Sequence, residues 1–175
     1  SIVSPKHLVG TLKPGVTAAA RLAAKDRGRK NRFNPNEDLR RAVIESDLRK
    51  KAVQDYWPAK DLFHQTLKNA VENSEKALLQ RTRELQRIIT TLHAIKRPYL
   101  PTPFQSTHRE MLIISFSDLG STFLKLANIK YKEHLVDEAE EFYETAIDHL
   151  STARRHGREM GRDYDLSRIM GQLAF

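Results

Sequence analysis

The sequence has no cysteine in its 175 residues. That absence removes disulfide scaffolds, thiol nucleophiles and every cysteine-ligated metal site. Aromatic residues make up 7% and hydrophobic residues 39%, a modest supply that still suffices for one packed core. No apolar run approaches the roughly 18 to 20 residues of a membrane span. No secretory apolar segment accompanies the N-terminal basic residues either, so a soluble protein is expected. There is no glycine-rich phosphate loop, nucleophile elbow or HExxH pair. What the chain has in quantity is charge: 30 Lys plus Arg against 22 Asp plus Glu, a formal balance of +8.

That charge is unevenly placed. Residues 1–60 hold 14 basic and 6 acidic side chains, whereas residues 61–175 hold 16 of each. Most of the excess lies in residues 1–33, where eight basic residues face the single acid Asp26. A basic arm on a neutral body suits a polyanion, because phosphate attraction scales with local positive charge and counterion release. The same composition also serves a membrane surface or a solubilising tail.

Pro5, Gly10, Pro14 and Gly15 make the first fifteen residues extended or turned. The alanine-rich run from Val16 then favours a helix to about Asn31. Its Arg21, Lys25, Arg29 and Arg32 share one face, and the other face is mostly methyl-sized. Asn34-Pro35-Asn36 interrupts it. Asn34 or Asn36 caps a second helix, with Glu37 and Asp38 at its positive end, running from about 36 to Trp57. Leu39 and Val43 form one apolar row on it; Ile44, Leu48, Ala52 and Tyr56 form another. The two rows fit either a wide core face or a helix shared with a partner subunit.

Pro58 is placed for the first turn of a third helix. From Phe63 through Leu67, Ser74, Leu78, Arg81, Leu85, Ile88 and Leu92 to Ile95 a three-to-four period continues, predicting one helix of about 37 residues, roughly 55 Å. Pro98, Pro101 and Pro103 end it. Thr107 with Glu110 reads as a capping box for a fourth helix. That helix is apolar around much of its circumference, from Met111 to Ile129, and so belongs at the centre of a bundle or under an assembly contact. A turn near Lys132 to Asp137, with Asp137 as cap, leads to a fifth helix using Ala139, Phe142, Tyr143, Ala146, Ile147, Leu150 and Ala153. Gly157 and Gly161 loosen the chain before an apolar segment, 164–175, that docks on the bundle or on a neighbour.

Residues suited to catalysis or metal binding are sparse. A di-iron bundle needs paired ExxH motifs on core faces. Here only Asp61 with His64 approaches one, and Glu138, Glu141 and Glu144 lack matching histidines. Arg81 within the third stripe argues against a metal core, and His134 with Glu138 reads as a surface contact. No catalytic residue, metal ligand or cofactor is assigned. A helix-turn-helix reader at Asn34–Asn36 is disfavoured, because Glu37 and Asp38 would meet phosphates at the start of the presumed recognition helix.

A basic helix-break-helix arm followed by an antiparallel helical bundle resembles the major coat proteins of filamentous and rod-shaped archaeal viruses. The likeness rests on the order of elements rather than on a motif. It implies an all-α chain with a nucleic-acid-wrapping arm (1–57), an antiparallel bundle (58–157) and a C-terminal docking segment (158–175). It further implies a virion protein, assembled in the host cytoplasm, that packages linear double-stranded DNA in an A-like form within a helical capsid. Partners would be many copies of itself, a homologous second coat subunit and, in some relatives, envelope lipid. The DNA-contacting set would be Lys13, Arg21, Lys25, Arg27, Arg29, Lys30 and Arg32, continued by Arg40, Arg41, Arg49, Lys50 and Lys51. The rival reading is a cellular helical adaptor, or an RNA- or nucleoid-associated structural protein.

Overall fold

The computed structural model describes residues 34–161, and every regular element within them is helical. Helix α1 spans Pro35–Lys68, α2 Glu75–Ala94, α3 Thr102–Lys132 and α4 Val136–Glu159, with a 3-10 turn at Arg97–Tyr99. The protein is all-α. The helix expected over residues 16–31 and the C-terminal segment 164–175 lie outside the described residues.

Contacts divide the chain into two units, one ending at Asp47 and the other beginning at Leu48. In the first, Asn34 Oδ1 accepts from the Asn36 N–H at 3.2 Å, and its carbonyl accepts from Asp38 N–H at 3.0 Å. Glu37 and Asp38 occupy the first turn, where carboxylates complement the helix dipole. Every residue from 34 to 47 is exposed. Leu39, Val43 and Ile44 are 65%, 52% and 58% accessible. The apolar rows that fitted a wide core face therefore bury nothing along this stretch.

The second unit packs the remainder of α1 with α2, α3 and α4, each antiparallel to the next. Arg81 on α2 reaches back to the Thr66 carbonyl at the end of α1. Between α2 and α3, Glu75 meets Lys130 and Leu92 meets His108. Between α3 and α4, Asn128 meets Tyr143 and Arg109 meets Glu159. Helix α3 is central and buries Met111, Leu112, Ile113, Phe116, Leu119, Phe123, Leu126 and Ala127, as its all-round apolar pattern predicts. By length and composition α3 also passes for a membrane span, contrary to the expectation that no run comes close. However, 56% of its most apolar window is buried inside the bundle, which is what a core helix requires.

Several expected boundaries move. Helix α1 runs straight through Pro58, although the ring removes the hydrogen bond to the Gln54 carbonyl. Continuity is maintained by one buried row, Ala52, Tyr56, Ala59, Phe63 and Thr66, with Tyr56 stacked on Phe104 at 4.6 Å. The single helix expected from Pro58 to Lys96 is in fact two segments, broken at residues 69–74. Ser74, in register with the apolar stripe, is the N-cap of α2, and its hydroxyl accepts from Ala77 N–H at 3.3 Å. Thr107 is no cap either: it lies inside α3 and donates to the Pro103 carbonyl. The prolines start α3 instead, with Pro101 at the N-cap and Pro103 in the first turn, where a missing N–H costs nothing. Asp137 sits in the first turn of α4 rather than at its cap, which is Leu135. Gly157 is buried within α4, and Gly161, at φ 65°, follows its end.

Two backbone positions carry measurable consequences. Leu135 N–H donates to Lys130 O and His134 N–H to Tyr131 O, with His134 left-handed at φ 63°. This Schellman closure usually places glycine where His134 stands. Replacing His134 by Gly should therefore raise stability by about 1 kcal/mol in urea unfolding. At Gly120, a Cβ would lie 2.5 Å from Leu150 Cγ and 3.1 Å from the Ala146 carbonyl. Gly120→Ala gains about 1 kcal/mol of helix propensity but forces α3 and α4 apart, so a net loss of about 1–2 kcal/mol is expected in the same assay.

Candidate nucleic-acid interface

Of the residues expected to meet phosphates, Lys13, Arg21, Lys25, Arg27, Arg29, Lys30 and Arg32 lie outside the described residues. The others are all on α1 and all exposed. Arg40 and Arg41 belong to the first unit, where Glu37, Asp38, Glu45 and Asp47 outnumber them. The positive balance of the arm thus resides before residue 34. Arg49, Lys50 and Lys51 open the second unit as a basic triplet. Lys51 shares a small cleft with Lys96, at the end of α2, together with Asp55. Lys96 escapes notice in the sequence because it reads as the last residue of a helix, 45 positions from Lys51. A little further along α1, Lys60 Nζ lies 5.5 Å from the half-exposed Trp57 ring, a cation–π contact.

The buried charges elsewhere are structural. Arg81, 6% accessible, directs Nε and Nη2 at one oxygen of Asp118, at 3.2 and 2.6 Å, and Nη1 at the Thr66 carbonyl. It thereby ties α1, α2 and α3 together, which explains an arginine inside an apolar stripe. Lys130 gathers Glu75 at 2.9 Å, Glu138 at 3.3 Å and Glu133 at 3.5 Å. The hydrogen bond to Glu75, reinforced by the other carboxylates, holds its ammonium charged above the ordinary lysine range. Glu138 is thus engaged by Lys130 rather than by His134. Among the described residues, no group of three or more histidines and carboxylates is placed to hold a metal ion.

Four of the histidines, His93, His108, His149 and His156, are scattered in the sequence but gather in space. His149 and His156 stack on Phe116 at 6.0 and 5.8 Å, His93 approaches it at 6.0 Å, and His149 also stacks on Phe123 at 5.5 Å. His108 is fully inside, with Nε2 2.7 Å from the Leu92 carbonyl. A carbonyl only accepts, so Nε2 carries the proton. Burial lowers the pKa of all three of His108, His149 and His156 from 6.5. For His108 the Leu92 hydrogen bond opposes that shift, while Arg97, His93 and Arg109 add to it.

No protein-family model, curated protein or solved structure matches the chain. The residues themselves therefore carry the functional argument.

Because the folded state binds these three protons less readily than the unfolded chain, stability is full above the ordinary histidine value of 6.5. It should fall as the pH drops through 6.5 towards the depressed folded values. Urea midpoints measured between neutral and mildly acidic pH should show that decline, and a His149→Gln, His156→Gln variant should flatten it.

Proposed function

We propose that the chain is a structural nucleoprotein that binds double-stranded DNA through its backbone, without sequence preference, and packs it into a filament as a helical coat subunit does. The observation that carries this reading is the charge partition: eight basic residues against one acid in residues 1–33, ahead of a remainder with 22 basic and 21 acidic residues. Phosphate grip needs Arg and Lys in number and dispenses with base-reading groups. The clustering of positive charge on one end of the chain supplies the first without the second.

The exposed stretch 34–47 supports the assembly half of the proposal. These residues form the exposed first part of α1, and there Leu39, Val43 and Ile44 leave large apolar surfaces uncovered. A neighbouring copy that covers them would gain about 25 cal/mol per Å² of apolar surface removed from water. Many such weak contacts along one DNA molecule multiply into a stable filament. The acidic excess on that stretch suits a contact between proteins better than one with phosphate, so binding and assembly fall to successive segments.

Electron microscopy of the full chain mixed with linear duplex DNA at low and moderate salt tests the proposal. Regular filaments that form only with DNA are expected, and discrete particles would transfer the reading to a helical adaptor or RNA-associated protein. Replacing Arg21, Lys25, Arg29 and Arg32 by Ala should abolish filaments while leaving the circular dichroism melt of the bundle unchanged. The salt slope of DNA binding should shrink by about 0.9 for each phosphate that the variant no longer neutralises. Leu39→Asn with Ile44→Asn should instead prevent filaments while sparing DNA binding by single subunits.

A further inference from the structure

Where the 3-10 turn passes into α3 and α4 ends, a cleft of about 310 Å³ is lined by Arg97, Gln105, Ser106, Arg109, Glu159 and Met160. Its size is at the lower end for small-molecule sites. Two of its walls are guanidinium groups from different elements. Arg97 Nη1 and Arg109 Nε each expose less than 1 Å² and have no hydrogen-bond partner among the described residues. Buried N–H groups are almost always paired, and a charged one left without an acceptor is the more unusual. Arg154 Nε, close by in sequence on α4, is in the same condition.

One carboxylate, that of Glu159, lines the cleft with these charges. Its Oε2 lies 3.9 Å from Arg109 Nη2 and 3.8 Å from His156 Nδ1. The Glu159 side chain is 49% accessible, so the pair is long and solvent-screened and is held weakly. Arg109 is anchored independently, because Nη1 donates to the Glu159 backbone carbonyl at 3.1 Å. Its guanidinium therefore stays in position when the Glu159 carboxylate swings away.

We propose that this cleft binds the phosphate group of a small phosphate monoester, with Arg97 and Arg109 as the charged donors and the Ser106 hydroxyl and Gln105 amide beside them. Arginine forks match phosphate oxygens closely, and a dianion offsets both guanidinium charges where the single Glu159 carboxylate offsets one. The remaining cleft volume takes the organic part of the ester. Burial and the neighbouring Arg109 both lower the Arg97 pKa, and Glu159 opposes them, in keeping with an uncompensated positive site. The site lies wholly within the second unit and stands independently of the DNA reading.

The test is calorimetric titration of the full chain with inorganic phosphate and with phenyl phosphate near neutral pH, at constant ionic strength made up with chloride. Saturable binding of both is expected, tighter for the ester. Arg97→Gln leaves the hydrogen bonds that join the helices intact, so the chain should remain folded by circular dichroism while affinity falls about tenfold or more. Glu159→Gln removes the competing carboxylate and should tighten binding several-fold, a gain that a purely structural role for Arg97 does not produce. Arg87→Gln, on the exposed side of α2 and outside the cleft, should leave it unchanged. Heat no different from the chloride control, or affinity unmoved by Arg97→Gln in a folded variant, would overturn the proposal.

Discussion

Helix α3 cannot leave any broad face in water. Its buried residues occur on successive turns and in several directions around its axis, so a single neighbour is insufficient. Helix α2 covers one side with Leu78, Leu85, Ile88 and Leu92, while α4 covers another with Ala139, Ala146, Leu150 and Ala153. The small residues of α4 and the missing side chain at Gly120 allow the α3–α4 approach to be close. Tyr56, within α1, closes the core by stacking on Phe104 in the first turn of α3. Each of the other helices in this unit owes its position to the need to cover α3.

Polar groups in this core specify register more than they add stability. Burying an ion pair costs desolvation that its attraction only partly returns. Arg81 nevertheless has an acceptor for each of its three nitrogens, on Asp118 and Thr66. A helix sliding by one turn would strand that charge. The Lys130 cluster acts similarly at the N-terminus of α2, less than two turns from Arg81, where Glu75 precedes α3 in the chain and Glu133 and Glu138 lie at and beyond its end. These two tethers hold the helices at one relative height, which apolar packing alone leaves loosely defined.

The division of labour follows from charge and exposure. Residues 61–175 carry equal numbers of each charge, whereas the chain ahead of residue 34 carries most of the net positive charge and residues 34–47 carry uncovered apolar side chains. In the proposed function, phosphate binding and association would thus fall to segments that precede the packed bundle in the chain.

Composition and periodicity are enough to establish the all-α class, the central place of α3, the turn after Lys132 and the concentration of positive charge before residue 34. These are local properties: alanine, prolines and apolar spacing act within a few residues of themselves, and charge can be counted. The boundary between α1 and α2 is not legible in that way. Apolar residues on both sides of the break happen to keep one helical period, so the spacing runs on past Asn69 to Ser74 as if no break occurred. The signal that marks it, Ser74 followed by Glu75 after Asn73, is short and is outweighed by the stripe. Pro58 misleads for the opposite reason: its local penalty suggests a helix boundary, whereas burial of Tyr56 and Phe63 sustains the helix through it. The histidine cluster around Phe116 and the Arg97–Arg109 cleft depend on the tertiary structure alone. Most of their members come from different helices, far apart in the chain, and only the antiparallel packing demanded by α3 brings those distant turns to one end of the bundle.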